Sequence, residues 1–537
     1  MTATVAAPAL AGTGRWPARL GGLAAPALAA GLVGFGLLMG WRGVDLPAQA
    51  YRQGLVTRYG LTIWDSQWYG GHWTLDYSLI SPALTALIGV GTVLVLSAAI
   101  AAWAFDRLAV GHFGRPGRAA SLVFAASTIV ASSIGQVPYL SGEALALGAC
   151  WAASRRRWAA AGVLGVAASA ASPLAGAFLM LAMASWAMVG WGLAGRRAQR
   201  AGAAAVALCA AVPIGATALL FPGEGAMPYP FTDYAWEMVV AAAVWILVGE
   251  HEPVVRAGVV IFGAAATGSF LIASPVGGNV GRIADSLALP LAVATMWGRR
   301  RLLLAAVAVP LVLSQWAQAW GALTTNASQP STHRAFYIPL VQRLAAAGGP
   351  AGRVEVVPTR FHWEVDYVAP VMALARGWER QLDVTDNPLF YRPGLLDPSS
   401  YRAWLVANGV RFVALPRAPL DFAGVAEARL LERGVPGLRV VWHSANWTLF
   451  RVRGSSGIVA APAVLVAQRN DRLTVATPRA GPVLVRVRWN AYWTVTAGAG
   501  CTTEAAGGWT TVQTPRAETL RLGLRLGGLS AGGHCRR

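Results

Sequence analysis

Residues 20–41, LGGLAAPALAAGLVGFGLLMGW, carry no charge and run directly into residues 42–78, RGVDLPAQAYRQGLVTRYGLTIWDSQWYGGHWTLDYS. As a helix, the first stretch is long enough to cross a hydrocarbon layer of about 30 Å. The second is polar, aromatic and long, and cannot. The junction therefore predicts a helix that leaves a membrane and opens an outer loop. No secretory cleavage site follows the first block, which reads as a retained helix. Ten more apolar blocks follow, at residues 80–105, 119–135, 139–153, 158–172, 174–194, 201–221, 236–249, 256–274, 283–298 and 302–321. About eleven transmembrane helices are expected. Blocks 139–153, 158–172 and 236–249 are short, near 15 residues, as tilted, re-entrant or protein-covered helices can be.

Composition agrees. Hydrophobic residues make up 55% of the 537, charged residues 13%, and mean hydropathy is +0.48, far from a soluble multidomain chain with about 25% charged residues. The net charge of +20 contains no lysine. Its arginines sit in short loops between apolar blocks, where they orient helices, so no nucleic acid is expected as a partner. With residues 1–19 placed in the cytoplasm, inner loops hold fifteen arginines: Arg15, Arg19, Arg107, Arg115, Arg118, Arg155, Arg156, Arg157, Arg196, Arg197, Arg200, Arg256, Arg299, Arg300 and Arg301. Outer loops of the membrane half hold four: Arg42, Arg52, Arg58 and Arg282. The imbalance predicts a cytoplasmic N-terminus and, with an odd helix number, everything after about residue 322 outside.

That outer region changes texture. Residues 323–455 alternate helices (333–348, 400–408, near 421–434) with strands (353–358, 410–415, 438–443, 447–453), an α/β pattern. Residues 456–537 read as short strands and turns, a β-sandwich-like module. Four cysteines form no C-x-x-C pair, so no zinc site is expected. Cys501 and Cys535 lie in the outer region, where an oxidising compartment permits a disulfide.

The candidate chemistry gathers in the loop at 42–78. Asp45 follows closely on the first span, at the interface, where desolvation and oriented partners can tune a carboxylate; a helix-capping aspartate is the plain alternative. Trp64, Asp65, Trp68, Tyr69, His72, Asp76 and Tyr77 surround Gly70-Gly71. Aromatic faces stack on sugars and carboxylates accept their hydroxyls, but an interfacial aromatic belt also uses Trp and Tyr. Glu143, in YLSGEALAL, places a carboxylate inside a short span, which is costly without a partner. Ser274–Arg282, SPVGGNVGR, is a glycine-rich loop in which Asn279 and Arg282 could receive a phosphate; a plain turn with a snorkelling arginine fits as well. In the outer region, His362, Glu364, Asp366, Arg376, Glu379 and Arg380 either roof the site or form a structural ion-pair network.

The juxtamembrane Asp45, the long aromatic first outer loop, the many helices and the outer C-terminal region together resemble the GT-C class of polytopic membrane glycosyltransferases. More closely, D-L-P-A-x-x-Y-R at Asp45–Arg52, W-D-x-x-W-Y-G-G at Trp64–Gly71 and ALARGWERQLD at Ala373–Asp383 resemble actinobacterial membrane proteins labelled as 6-pyruvoyl-tetrahydropterin synthase-related. The GT-C resemblance implies an α-helical polytopic membrane protein of GT-C-like fold with a C-terminal extracytoplasmic α/β plus β-sandwich-like domain. It implies membrane lipid, a polyprenyl-phosphate sugar donor and a cell-envelope glycan acceptor as partners. Asp45 is then the catalytic base, Arg282, Asn279 and Arg380 hold the donor phosphate, and the loop aromatics with Glu143 hold the acceptor. No cofactor is named; a divalent metal is compatible. A non-catalytic scaffold or glycan-binding protein, and a transporter, remain as other readings. No matching pair of broken helices in two halves supports the last.

Overall fold

The computed structural model describes residues 22–189, 197–223, 225–248, 250, 252–297, 301–325, 328–348, 351–525 and 535. Residues 1–19, expected to be cytoplasmic, with Arg15 and Arg19, and Arg196, Arg299 and Arg300 lie outside the described residues.

A helix occupies each of the eleven apolar blocks: Ala24–Leu38, Val90–Phe113, Arg115–Ile134, Val137–Ser154, Trp158–Ala171, Pro173–Val189, Arg197–Leu220, Phe231–Val248, Pro253–Leu271, Arg282–Met296 and Arg301–Thr325. Among the described residues, five of these are long and apolar enough to cross a membrane. The others are shorter or less apolar, so a count of eleven spans stays an expectation. Large apolar side chains at Leu38, Leu219, Ile246, Leu271 and Leu302 are more than two-thirds exposed, as expected of surfaces that meet lipid.

The block at 80–105 differs from its expectation. It begins with a separate short helix, Ser81–Ile88, and breaks at Gly89, whose φ of +84° only glycine adopts readily. The loop at 42–78 also contains an unexpected 14-residue helix, Leu46–Tyr59. Pro47 opens it, and its buried residues Ala48, Tyr51, Arg52 and Leu55 recur at helical spacing.

Beyond residue 325 the chain forms two β-containing units. In the first, Arg353–Val356 pairs in parallel with Val410–Pro416, which pairs antiparallel with Trp447–Val452, and Leu438–His443 completes that sheet. Helices Arg334–Ala346, Pro398–Ala407 and Phe422–Arg433 pack around it. The second is a two-sheet sandwich. Trp493–Ala497, Glu518–Leu524, Arg472–Thr477 and Val464–Arg469 form one antiparallel sheet; Cys501–Ala505, Trp509–Thr514 and Gly481–Arg488 form the other. Cys501 and Cys535 are disulfide-bonded across 34 residues of sequence.

The loop at 42–78 is built into the cores of both β-containing units. Trp64 and Trp73 belong to the sandwich core with Leu473, Val485 and Trp493. Trp68 and Tyr69 belong to the α/β core with Tyr337, Phe361 and Val354.

Candidate functional site

Asp45 is positioned by close backbone packing. Its N–H donates to the Ile134 carbonyl at 2.9 Å. A Cβ on Gly43 would lie 2.1 Å from the Ser133 carbonyl oxygen, and one on Gly135 would lie 2.4 Å from the Leu46 nitrogen, so both positions need glycine for this approach. Asp45 precedes helix Leu46–Tyr59 but its side chain makes no cap bond to it, which removes the capping alternative. Four basic groups act on this half-buried carboxylate, Arg52 from the adjoining helix and Arg282, His362 and Arg380 from far along the chain. Burial pushes its pKa up, and the charges of Arg282, His362, Arg52 and Arg380 pull it back, leaving it raised.

The outer region closes over this point through Trp378. Its indole N–H donates to the Val44 carbonyl at 2.6 Å. His362 stacks on its ring at 3.5 Å and the Arg380 guanidinium lies 4.8 Å from it. His362 has a φ of +56°, a left-handed backbone that a non-glycine residue holds only when its surroundings impose it. Its ring lies 3.4 Å from Glu364 and 3.3 Å from Asp421; their bonds hold its pKa above the ordinary histidine value, although burial opposes this.

Arg380 does not keep the role expected of it. Its guanidinium is bonded to both oxygens of Asp421, at 2.7 and 3.1 Å, and to the Tyr391 hydroxyl at 2.9 Å. Arg376 is likewise spent within the protein, between Glu355 and Glu427, with its guanidinium 3.8 Å from the Phe390 ring. Glu364 accepts from Thr359 and Tyr337. These residues are engaged in ion pairs within the outer region, and of them His362 and Arg380 also extend their charge to Asp45.

The loop aromatics are also engaged. Trp68, fully buried, stacks on Tyr51 at 4.4 Å and on His72 at 5.3 Å, so both faces are covered. Trp64 packs edge-on against Trp73 at 4.6 Å, and Asp65 accepts from the Tyr51 hydroxyl at 2.8 Å. Tyr69 shares two hydrogen bonds with the Glu379 backbone. Tyr69, Gly70 and Gly71 all have positive φ, and a Cβ on Gly71 would lie 2.1 Å from the Trp64 ring. The sugar-stacking role expected for Trp64, Asp65, Trp68 and Tyr69 is thus corrected: burial in the two outer cores leaves no open aromatic face. Asp76 and Tyr77 stay half-buried. Tyr77 carries the Arg52 guanidinium at 4.3 Å, and Arg52 pairs with Glu379, which lies 3.8 Å from His72. Burial and the Asp45 charge hold the Tyr77 phenol above its ordinary pKa.

Arg282 opens helix Arg282–Met296, with its guanidinium 5.6 Å from the Tyr139 ring. Among the described residues, no carboxylate stands within 4.0 Å of it. Glu143, Asp285 and Arg282 line one small cleft of about 40 Å³ between the helices. Asn279 sits in the turn Gly277–Gly281, half-buried, its N–H donating to the Val276 carbonyl at 2.9 Å. The glycines there serve packing: a Cβ on Gly277 would lie 2.1 Å from the Met227 carbonyl oxygen, and one on Gly281 2.1 Å from a Glu237 carboxylate oxygen. Among the described residues, no group of three His, Cys, Asp or Glu is placed to hold a metal ion.

Sequence reasoning missed Arg52, Trp378 and Asp421. Arg52 was legible, on the buried face of a helix that Pro47 announces. Asp421 had no local signal, because its partners lie 41 and 59 residues away.

Asp366 stands apart, and burial pushes its carboxyl up to about 6. A carboxyl raised on folding destabilises the folded state once it ionises, so the penalty is absent below about pH 4 and complete above the raised value. Asp366→Asn is expected to raise stability at pH 7.5 by about 1–2 kcal/mol, discounted for solvent screening, and to do nothing at pH 4. Thermal melts at the two pH values decide this; equal effects at both would assign the change to something other than charge.

No family model matches the chain, and no curated protein matches it. Among solved structures it is similar to the cryo-EM structure of a mutant of the arabinofuranosyltransferase AftD from Mycobacteria. Identity is 16% and the TM-score 0.47, and the match covers 90% of this chain and 43% of that one. The chain thus spans less than half the length of that enzyme. The label relating such proteins to 6-pyruvoyl-tetrahydropterin synthase has no counterpart in these comparisons.

Proposed function

We propose that this chain is a GT-C-like membrane glycosyltransferase. It moves a sugar from a polyprenyl-phosphate donor to a cell-envelope glycan or lipid acceptor at the outer face of the membrane. The observation that carries this reading is Asp45. It is a carboxylate without a capping bond, raised in pKa by burial, and set among positive charges that the chain brings together from four separate segments. A base of raised pKa takes a proton more readily than an ordinary carboxylate. Asp45 deprotonates the acceptor hydroxyl as it attacks the anomeric carbon, and the bond from that carbon to the lipid phosphate breaks. The phosphate leaves with the electron pair, and Arg282, which no carboxylate among the described residues approaches within 4.0 Å, stabilises its charge. Arg380 has no part in this step, because Asp421 occupies its guanidinium. His362 and Trp378 hold the outer region against Asp45 and complete the site.

The chain's orientation follows from the arginine distribution. Reporter fusions after residues 200 and 301 are expected to report cytoplasm, and one after residue 330 the outside. A cytoplasmic signal from the last would separate Asp45 from any outer acceptor and end the proposal. With orientation established, Arg282→Ala is tested in liposomes loaded with short-chain polyprenyl-phosphate sugars. The donor KM is expected to rise about tenfold or more, the value of one lost charge-assisted hydrogen bond, while expression stays normal. An unchanged donor KM would remove Arg282 from the phosphate site.

A further inference from the structure

We infer that the free edge of strand Leu438–His443, with the apolar groove beside it, is a docking surface for an acidic, extended segment of a partner protein. That segment adds to the α/β sheet as a further strand in which apolar residues alternate with carboxylates. Docking here does not depend on sugar transfer.

Leu438–His443 ends its sheet and is paired on one side, to Trp447–Val452. An edge strand offers backbone donors and acceptors to an added strand. Beside it lies an open groove of about 610 Å³, between the sheet and the end of helix Phe422–Arg433. Leu415, Val440 and Phe450 form its sheet wall, and Leu431 and Val435 its helix wall. Val440 is 50% exposed and stands opposite Phe450 in the ladder. Apolar surface therefore runs from the groove to the strand edge, where the apolar residues of an added strand would cover it.

The other face of the same two strands has the opposite character. Arg439 and Arg451 are direct cross-strand neighbours, and both are exposed. Like charges directly opposite one another destabilise a sheet. Among the described residues, neither has a carboxylate within 4.0 Å. Arg402, which lies against Gly437 where the strand begins, and the exposed Arg433 and Arg453 add to the positive charge; Glu432 is the carboxylate on the groove wall. Side chains alternate along a strand. An added strand that sets apolar residues against Val440 thus sets the residues between them beside Arg439, and carboxylates there offset its charge.

The same features disfavour other occupants. Residues 438–443 include Arg439 and His443 and no acid, so a second copy would bring basic edge to basic edge. A charge on an edge strand is a common guard against such self-pairing, and it is no guard against an acidic strand. A lipid headgroup or an anionic glycan meets arginines but has no backbone to continue the ladder. The register shifts between Val440 and Trp442, which confines regular pairing to the first half of the strand, where Arg439 stands.

The test uses the full chain in nanodiscs of zwitterionic lipid, with a fluorescent peptide of alternating valine and glutamate as the probe. Fluorescence anisotropy is expected to show saturable binding that weakens as salt rises. A valine–lysine peptide, and the acidic peptide N-methylated at every residue, should not bind. Arg439→Glu is expected to weaken the acidic peptide about tenfold or more, the loss of one charged pairing, and to admit the valine–lysine peptide. The variant should fold, because the substitution turns a like-charge cross-strand pair into an opposite one; if it does not, Arg439→Ala carries the same expected loss. Val440→Asp should weaken the acidic peptide by a similar factor through the groove. Three results overturn the docking surface: no saturable binding, equal binding of the N-methylated peptide, or wild-type affinity in folded Arg439 and Val440 variants. Phosphatidylglycerol vesicles or polygalacturonate bound in place of the peptide would give the surface to lipid or glycan. A dimer lost in Val440→Asp would give it to a second copy. Each of these outcomes also ends the proposal.

Discussion

Asp45→Asn is expected to lower sugar transfer by about 10²–10⁴-fold, the usual contribution of a general base, with expression and donor binding nearly unchanged. The substitution is close to isosteric, and the Asp45 side chain makes no cap bond to the helix it precedes, so no capping bond is lost with the carboxylate. The wild-type rate should also fall at a higher pH than an ordinary carboxylate would give. A base works only when deprotonated, and burial has raised the pKa of this one. Transfer by purified protein, measured from pH 4 to 8, tests both points. Full complementation of a deletion strain by Asp45→Asn would end the enzymatic reading and favour a scaffold. A variant that fails to accumulate would instead make Asp45 a folding residue.

The second large effect concerns stability. Arg376 stands between Glu355 and Glu427, whose side chains are fully buried, with Tyr401 donating to the other oxygen of Glu427. Removing one partner of such a group leaves buried charge uncompensated and costs about 3–5 kcal/mol. Arg376→Met is therefore expected to unfold the α/β unit, read as proteolysis between residues 330 and 455 and a lost thermal transition. Replacing Glu355 and Glu427 by glutamine in the same protein should recover part of the loss, because the two carboxylates nearest the lost guanidinium are then neutral and only Asp383, 3.9 Å from it, keeps its charge. Arg376→Met protein that melts like wild type but transfers no sugar would return Arg376 to the site.

The sequence made local features legible and long-range ones only in part. Strand Leu438–His443 falls where its alternation puts it, and Arg353–Val356, Trp447–Val452 and helix Pro398–Ala407 lie within two residues of expectation, because period and turn residues are local. Asp45 and Arg282 were visible as polar residues at the ends of apolar blocks. What each aromatic residue faces was not visible. The pattern around Trp68 suits a sugar platform and a protein core equally, and only the fold supplies Tyr51 and His72 to cover its faces. The pairing of Arg380 with Asp421 was hidden for the same reason. An exposed cation and a neutralised one have the same letter.

The tryptophans of the first outer loop also constrain how the chain is made. Trp64 and Trp73 complete the core of a sandwich whose strands begin at Val464, and the Leu374 N–H donates to the Gln67 carbonyl across 307 residues of sequence. This loop emerges early in synthesis, and its partners arrive only after all the apolar helices have been made. Until then the indoles of Trp64 and Trp73 lack the core that covers them and are open to mispairing. Closing this circuit therefore waits on the C-terminal strands, and a chain truncated before Val464 is expected to leave Trp64 and Trp73 without their core.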